Sequence, residues 1–174
     1  MIVWINGTFG VGKTTTSRHL HEQTTWPVFD PEHVGYLVGG HFRDPEYDDF
    51  QDLPPWRALV PRVADELLRF RGTEHLVAVQ TVLRQDYWQE LGAGFDDLGH
   101  RVFHVVLDCD RTTLESRIRA DQDEADALEW RLDHLDRAEL AQDGWLRDAA
   151  DLVIDTSRLD ADEAARTIAA ALGS

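Results

Sequence analysis

The sequence predicts an α/β fold: a five-stranded parallel sheet covered by helices on both faces, in one domain spanning residues 1–174. Three observations predict it. Five apolar runs of strand length recur along the chain, Ile2–Ile5, Pro27–Phe29, Leu76–Val79, Val102–Leu107 and Leu152–Ile154. Helical patterns occupy the intervals between them. The runs are nearly continuous in apolar residues, as strands buried on both faces require, where a half-exposed strand would alternate. The 174 residues are enough to bury a core around such a sheet, and no internal repeat, low-complexity stretch or long linker interrupts them.

Taken in order, Ile2–Ile5 leads into a glycine-rich octapeptide, and Thr14–Thr24, free of Gly and Pro, continues as a helix. After Pro27–Phe29 comes Asp30-Pro31, an N-cap followed by proline at the first helical position. Gly39 to Trp56 is the longest non-repetitive connection, with His41-Phe42-Arg43, Tyr47, Phe50 and Pro54-Pro55-Trp56-Arg57. Its aromatics beside arginines either form an acceptor pocket or plug the edge of the core. Trp56, Leu59, Val60, Val63, Leu67 and Phe70 follow the spacing of one helix face. Asp110 caps a helix over Thr112–Ala120. Ala161, Ala164, Ala165, Ile168 and Leu172 mark a last helix, opened by Asp160 with Glu163 three residues on, as in a capping box.

Composition narrows function. Asp and Glu number 33 against 17 Lys and Arg, a net charge of −16, which excludes a general nucleic-acid binder and argues against docking on an anionic membrane. A hydrophobic content of 43% with 6 Trp is too rich for a disordered acidic chain. The lone Cys109 forms no internal disulfide, and the 8 His show no metal-ligand spacing. Ser17 and Ser116 lack the context of a catalytic nucleophile. The start Met1-Ile2-Val3-Trp4-Ile5-Asn6 has no basic leader and no apolar run is long enough for a membrane span, so the expected compartment is the cytoplasm.

Lys occurs once, at Lys13, among 16 Arg. It sits in Gly7-Thr8-Phe9-Gly10-Val11-Gly12-Lys13-Thr14, which matches G-x-x-x-x-G-K-[ST] between a strand and a helix, the context that defines a phosphate-binding loop. Its glycines let the backbone approach an anion, its N–H groups form a nest, and the helix start adds about half a positive charge. Lys13 is a compact cation for β- and γ-phosphates, and Thr14 offers a hydroxyl to Mg²⁺. Candidate nucleotide contacts are Gly7, Phe9, Gly10, Val11, Gly12, Lys13, Thr14 and Thr15.

Ligands bind at the carboxyl ends of parallel strands. The residues to test are therefore Asp30, Gln80-Thr81, Asp108 and Asp155-Thr156. Asp30 combines a capping position with a carboxylate facing the loop, where it takes a hydroxyl proton or holds Mg²⁺ through water. Asp108 ends an apolar run like a Walker B carboxylate, although a strand-end turn is the favoured reading. Arg117 and Arg119 late in one helix, and Arg131 and Arg137 in the next, flank the polar stretch Asp121–Asp126. This reads as a lid, approximately residues 120–137, bringing an arginine to the phosphates.

The opening Ile2 to Thr14 resembles the tunicamycin-resistance protein family, small P-loop proteins related to chloramphenicol phosphotransferase and nucleotide kinases. The resemblance continues in Phe29-Asp30-Pro31-Glu32, Asp49-Phe50-Gln51, Trp56-Arg57-Ala58, Thr81 with Tyr87-Trp88, Thr113-Leu114 with Arg117 and Arg119, and Trp130 with Asp136-Arg137. It implies a three-layer α/β/α P-loop NTPase fold with five parallel strands in the adenylate-kinase arrangement and a short lid. It implies an ATP- and Mg²⁺-dependent phosphotransferase acting on a hydroxyl of a small molecule, a nucleoside-type antibiotic such as tunicamycin. Lys13, Asp30 and Arg137 are then the catalytic candidates. Arg117 and Arg119 join the loop in holding nucleotide. Asp30, Arg57, Gln80 and Thr81 hold the acceptor, and Thr14 holds the metal. The rival expectations are sequestration of a toxic ligand without phosphorylation and a P-loop NTPase without acceptor. The expected partner is a small-molecule acceptor, with no nucleic acid or membrane, for a monomer or homodimer.

Overall fold

The computed structural model describes residues 1–41, 47, 49–121 and 128–173. The chain runs β1 (Ile2–Asn6), α1 (Lys13–Thr24), β2 (Val28–Phe29), α2 (Glu32–Gly39), a 3₁₀ turn (Phe50–Asp52), α3 (Pro54–Arg71), β3 (Leu76–Val79) and α4 (Gln85–Asp97). It continues through β4 (Val102–Asp108), α5 (Arg111–Ala120), α6 (Leu128–Ala141), a π-helical turn (Gln142–Leu146), β5 (Leu152–Asp155) and α7 (Ala161–Ala171). The five strands are all parallel, in the order β2-β3-β1-β4-β5. Each apolar run forms a strand within one residue of its expected bounds, because short continuous apolar stretches are buried on two faces in a parallel sheet. No helix of the described residues is long and apolar enough to cross a membrane.

The period-two alternation of the strands divides the core between two faces. Val3, Ile5, Val77, Val79, Val105 and Leu107 pack under α1, α5, α6 and α7, through Leu20, Leu114, Ile118, Leu135 and Ile168. Ile2, Trp4, Leu76 and Ala78 pack under α2, α3 and α4, through Val34, Trp56, Val60, Leu91 and Phe95. Trp4 is wholly buried with its ring edge-on to Trp88 at 5.6 Å and to Phe95 at 6.2 Å, and its Nε1 donates to the Gln80 carbonyl at 3.2 Å.

The helix over residues 54–71 is present, with Trp56 and Val60 buried and Val63 and Leu67 packed against the core as expected, but the two outer positions of the expected face are exposed. Phe70 is 86% exposed and Leu59 lies at the surface, while the stripe Trp56, Val60, Ala64, Leu68 with Arg57, Pro61 and Asp65 is buried. The residues that make the close contact are small or polar and so escape an apolar count. Pro61 lies so near α4 that a Cβ on Gly94 would stand 2.8 Å from its ring. The two expected aspartate caps are present: Asp110 accepts from Thr113 N at 2.9 Å, and Asp160 with Glu163 forms a reciprocal capping box.

Asn6, fully buried at the carboxyl end of β1, ties the sheet to the loop that follows. Its Oδ1 accepts from Gly7 N at 2.8 Å and Val82 N at 2.9 Å, and its Nδ2 donates to Val82 O at 3.0 Å. Nδ2 also lies 3.3 Å from His104 Nε2. The other imidazole nitrogen of His104, Nδ1, stands 2.9 Å from the Ala149 carbonyl, which only accepts. Nδ1 therefore carries the proton and Nε2 accepts from Asn6. Burial pushes the His104 pKa down to about 4, so the ring is neutral at physiological pH. Asn6→Ala strands buried donors on Gly7 and Val82 and is expected to cost about 3 kcal/mol in chemical denaturation, against about 1 kcal/mol for the exposed cap change Asp160→Ala. Equal losses in the two variants would show that Asn6 is no clamp.

Candidate active site

The loop between β1 and α1 turns at Gly7, where φ is +138° and an added Cβ would stand 2.5 Å from the Leu107 carbonyl. No other residue fits there without moving β4. At its far end Gly12, with φ +99°, is the N-cap of α1 and supplies no side-chain cap. The first-turn amides of α1 are thus left for an anion, at the positive end of the helix. Lys13 Nζ donates to the carbonyls of Gly7 and Thr8, both at 2.9 Å. Burial, chiefly, and then the nearby Arg131 push the Lys13 pKa down to about 7, while Glu32 and Asp30 act in the opposite sense.

A cavity of about 1570 Å³ opens beyond the carboxyl ends of the strands. It brings together Phe9, Gly10, Gly12, Lys13, Thr14, Thr15, Asp30, Gln80, Thr81, Arg117 and Arg137, residues that lie apart in the sequence. Thr81 Oγ1 donates to the Gly7 carbonyl at 2.8 Å, so the exit of β3 and the loop move as one piece. Asp30 is both cap and wall: its Oδ1 accepts from Glu32 N at 2.9 Å, while the carboxylate lines the cavity. Arg117 is braced on the β5 end, donating to Thr156 O at 2.8 Å and Thr156 Oγ1 at 3.3 Å.

Gly7, Val11, Arg57, Asp108, Arg119, Asp155 and Thr156 do not line the cavity. Gly7 is buried at the start of the loop, and Val11, 1% exposed, anchors it in the core. Arg57 points away from the cavity wall and supports it from behind: Nε pairs with Glu90 at 2.6 Å, Nη1 donates to the Gln51 carbonyl, and the guanidinium stacks on Tyr87 at 4.1 Å. Arg119 is exposed elsewhere. Asp108 forms the strand-end turn, accepting from Cys109 N at 2.9 Å and pairing with Arg147 at 2.7 Å. Residues 122–127 of the expected lid, and Phe42 and Arg43 of the expected acceptor loop, lie outside the described residues.

Arg131 is one of the four arginines expected to flank the lid, and the structure brings it into the cavity. It is only 6% exposed, lines the cavity and pairs with Asp121 at 2.8 Å. Its Nε is buried with no hydrogen-bond partner. Its signal was present: Leu128, Arg131, Leu132, Leu135 and Ala138 occupy one helix face, and an arginine at an apolar position of such a stripe needs a buried anion or a ligand. On the opposite wall stand Glu32, Tyr36, Tyr47, Asp49, Phe50, Gln51, Asp52, Arg84 and Tyr87, mostly from the stretch before α3.

Similarity to known proteins agrees with this architecture. No curated protein sequence matches the chain. Among solved structures, the Deinococcus radiodurans tunicamycin resistance protein is 29% identical, with a TM-score of 0.75 over 99% of this chain and 95% of that one. A sugar kinase from Janibacter sp. HTCC2649 is 18% identical, with a TM-score of 0.69 over 98% and 93% of the two chains. Shikimate kinase from Acinetobacter baumannii, in complex with shikimate, is 21% identical, with a TM-score of 0.63 over 98% and 92%. The last two share the fold. The family model described as AAA domain matches residues 2–143, which take in the loop, the cavity walls and α6. With a parallel sheet in the order β2-β3-β1-β4-β5, a phosphate-binding loop after its central strand and that match over most of its length, the chain belongs to this AAA domain family, whose fold here is that of the P-loop kinases.

Proposed function

We propose that the protein is an ATP-dependent phosphotransferase that acts on a hydroxyl group of a small molecule. The observation that carries this reading is the single cavity that joins Lys13 and Thr14 to Asp30 and to a second, acceptor-sized wall. A nucleotide-only switch has no use for that wall. The likeness to the tunicamycin resistance protein supports an acceptor drawn from the nucleoside-type antibiotics.

The residues present fit a triphosphate and its metal. The α1 start has no side-chain cap, Lys13 donates to loop carbonyls that a phosphate can replace, and Thr14 stands at the cavity wall. Thr14, with Asp30 through water, would hold Mg²⁺, which when bound neutralises charge on the phosphate oxygens. Lys13 and the loop amides orient the phosphates, and Arg131 and Arg137 stabilise charge on the phosphoryl group in transit. Asp30 accepts the hydroxyl proton as the acceptor oxygen bonds to the γ-phosphorus. The bond to the β,γ-bridging oxygen breaks and ADP leaves.

Lys13→Ala is expected to abolish acceptor-dependent ADP release without loss of the fold by circular dichroism. Asp30→Asn is expected to lower kcat by about 10² to 10³ with little change in KM for ATP. A variant of either kind with wild-type turnover would end the proposal. Arg131→Ala is expected to slow turnover at least ten-fold more than Arg119→Ala, since only the former reaches the cavity. If the two are equal, Arg131 has no part in transfer.

Lys13 also predicts a proton linkage. In the free protein its pKa is about 7, so at pH 8.5 it is mostly neutral. A bound triphosphate restores the charged form, so binding takes up close to one proton at pH 8.5 and almost none through Lys13 at pH 6. In the free protein the unfolded chain binds the extra proton between pH 7 and the ordinary lysine value, so stability rises with pH across that window. Calorimetry of ATP binding in two buffers of different ionisation enthalpy measures the uptake, with Lys13→Ala as control. No uptake at pH 8.5 would show Lys13 already charged.

A further inference from the structure

The cavity has a phosphate end, at Lys13, and an acceptor end, walled by the stretch before α3 and by the exit of β3. Gln80 lies at that exit. Its N–H donates to the Ile5 carbonyl at 3.3 Å, so the ladder to β1 runs one residue past β3, and its carbonyl accepts from Trp4 Nε1 at 3.2 Å. Both backbone groups of Gln80 are thus bonded. Its side chain is different: the residue is 9% exposed and lines the cavity, and its amide makes no hydrogen bond with any described residue. A primary amide carries two donors and an acceptor, and taking them from water is costly unless a ligand supplies partners.

Gln51, also 9% exposed, brings a second amide. Its Nε2 donates to the Thr81 carbonyl at 3.0 Å and to Asp49 Oδ2 at 3.2 Å, which uses both donors and fixes which way round the group sits. The Oε1 remains as an acceptor without a described partner, on a residue that lines the cavity. The bond to Thr81 places this amide one residue from Gln80. Charged groups of the same wall are engaged with the protein. Asp52 accepts from Tyr87 Oη at 2.8 Å, Arg84 pairs with Asp86 at 2.5 Å, and the Tyr87 ring meets the guanidiniums of Arg57 at 4.1 Å and Arg84 at 4.0 Å. In its two amides the wall keeps hydrogen-bonding capacity that the protein does not complete.

An amide is flat, with donor and acceptor fixed in one plane. The group that satisfies it at both ends has its own acceptor and donor side by side in a plane, as a ring C(=O)–NH does. A hydroxyl turns freely and calls for no such pair. Gln80 turns over to suit either order, whereas Gln51 asks for a donor. Asp30 stands at the neighbouring strand end, since Phe29 lies opposite Ala78 in the β2–β3 ladder and paired strands are about 4.8 Å apart. One small ligand therefore spans both, with its hydroxyl at Asp30 and its ring edge at Gln80.

Resting on the phosphotransfer reading and narrowing it, we infer that Gln80 selects the acceptor by hydrogen-bonding the lactam or imide edge of a planar ring, with Gln51 Oε1 taking a further donor of the same ligand. Gln80 is then a specificity residue and has no part in the transfer itself.

The test uses nucleoside pairs that differ at the ring N–H, uridine with 3-methyluridine and inosine with 1-methylinosine. D-ribose supplies hydroxyls without the ring. Binding is measured by calorimetry with a non-hydrolysable ATP analogue present, and ADP release with ATP. The expected result is an unblocked nucleoside that binds at least about 30-fold tighter than its methylated partner and than ribose. Gln80→Met, which keeps the length and removes the amide, should bring the ratio within the pair below about three-fold and leave affinity for the ATP analogue within about two-fold. Its melting temperature should not fall, because the amide has no described partner in the free protein. Equal binding within both pairs, no nucleoside binding at millimolar concentration, ribose binding as tightly as the nucleosides, or a ratio that survives in Gln80→Met overturns the inference. So does a melting temperature lowered by more than about 5 °C, which would make Gln80 a structural residue. An unblocked nucleoside that binds without ADP release sinks phosphotransfer and leaves the role of Gln80 standing. ADP release driven equally by both members of each pair does the reverse.

Discussion

The geometry of the cavity rests on how the backbone leaves β1. Asn6 is buried at the end of the central strand, and its one amide group holds the first N–H of the phosphate loop and both backbone groups of Val82. Thr81 holds the Gly7 carbonyl on the same peptide turn. The loop that binds phosphate and the segment that lines the acceptor wall, Gln80 to Arg84, therefore share one hydrogen-bonded joint. In phosphoryl transfer the protein has little covalent work to do, and positioning carries the rate. A joint that fixes two binding segments to one strand end is a direct way to supply it. The neutral His104 behind Asn6, stacked on Trp88 at 3.9 Å, keeps the amide from turning over, because a carbonyl oxygen facing the Nε2 lone pair would find no donor.

A net charge of −16 does not oppose anion binding at this joint. Surface charge is screened beyond about 8 Å at physiological salt, whereas the loop amides, Lys13 and Arg131 act at contact distance in a partly dry cavity. Acidity is not spread evenly either. Part of it is paired at the surface, where Arg147, Arg158 and Arg166 meet Asp143, Asp155 and Asp162. What matters for chemistry is the local set of cations that α1, α5 and α6 bring to the cavity.

The features legible in sequence were those with a local signature. The strands appear within a residue of the apolar runs, and the octapeptide that contains the one lysine marks the loop by its spacing alone. Asp30 was legible as a residue at a strand end, and its dual character as cap and cavity wall is what the structure shows. Arg131 was legible only as one of four arginines flanking a lid, and Asp52 carried no signal, because their meaning depends on which segments meet across the carboxyl edge. Arg57 misled for the same reason: an arginine beside aromatics looks like a binding residue, but tertiary packing turns it onto Glu90 and Tyr87. Part of the buried face of α3 escaped the apolar pattern because proline, alanine and an ion-paired aspartate fill it.

Lys13 is where the two ends of the cavity meet. Arg131 on one side disfavours its charge, and Glu32 and Asp30 on the other support it, while burial outweighs both. A lysine poised near neutrality has a reason at such a boundary. In the proposed transfer this boundary is where the acceptor hydroxyl, beside Asp30, meets the γ-phosphate. The lysine Nζ is held by the carbonyls of Gly7 and Thr8, groups that the proposed phosphate would replace. Arg at this position would stay charged under all conditions and would bring a planar fork in place of a point donor. In a chain that uses arginine for the other 16 of its Lys and Arg residues, the lysine at residue 13 is therefore a chemical requirement of the junction and not a matter of composition.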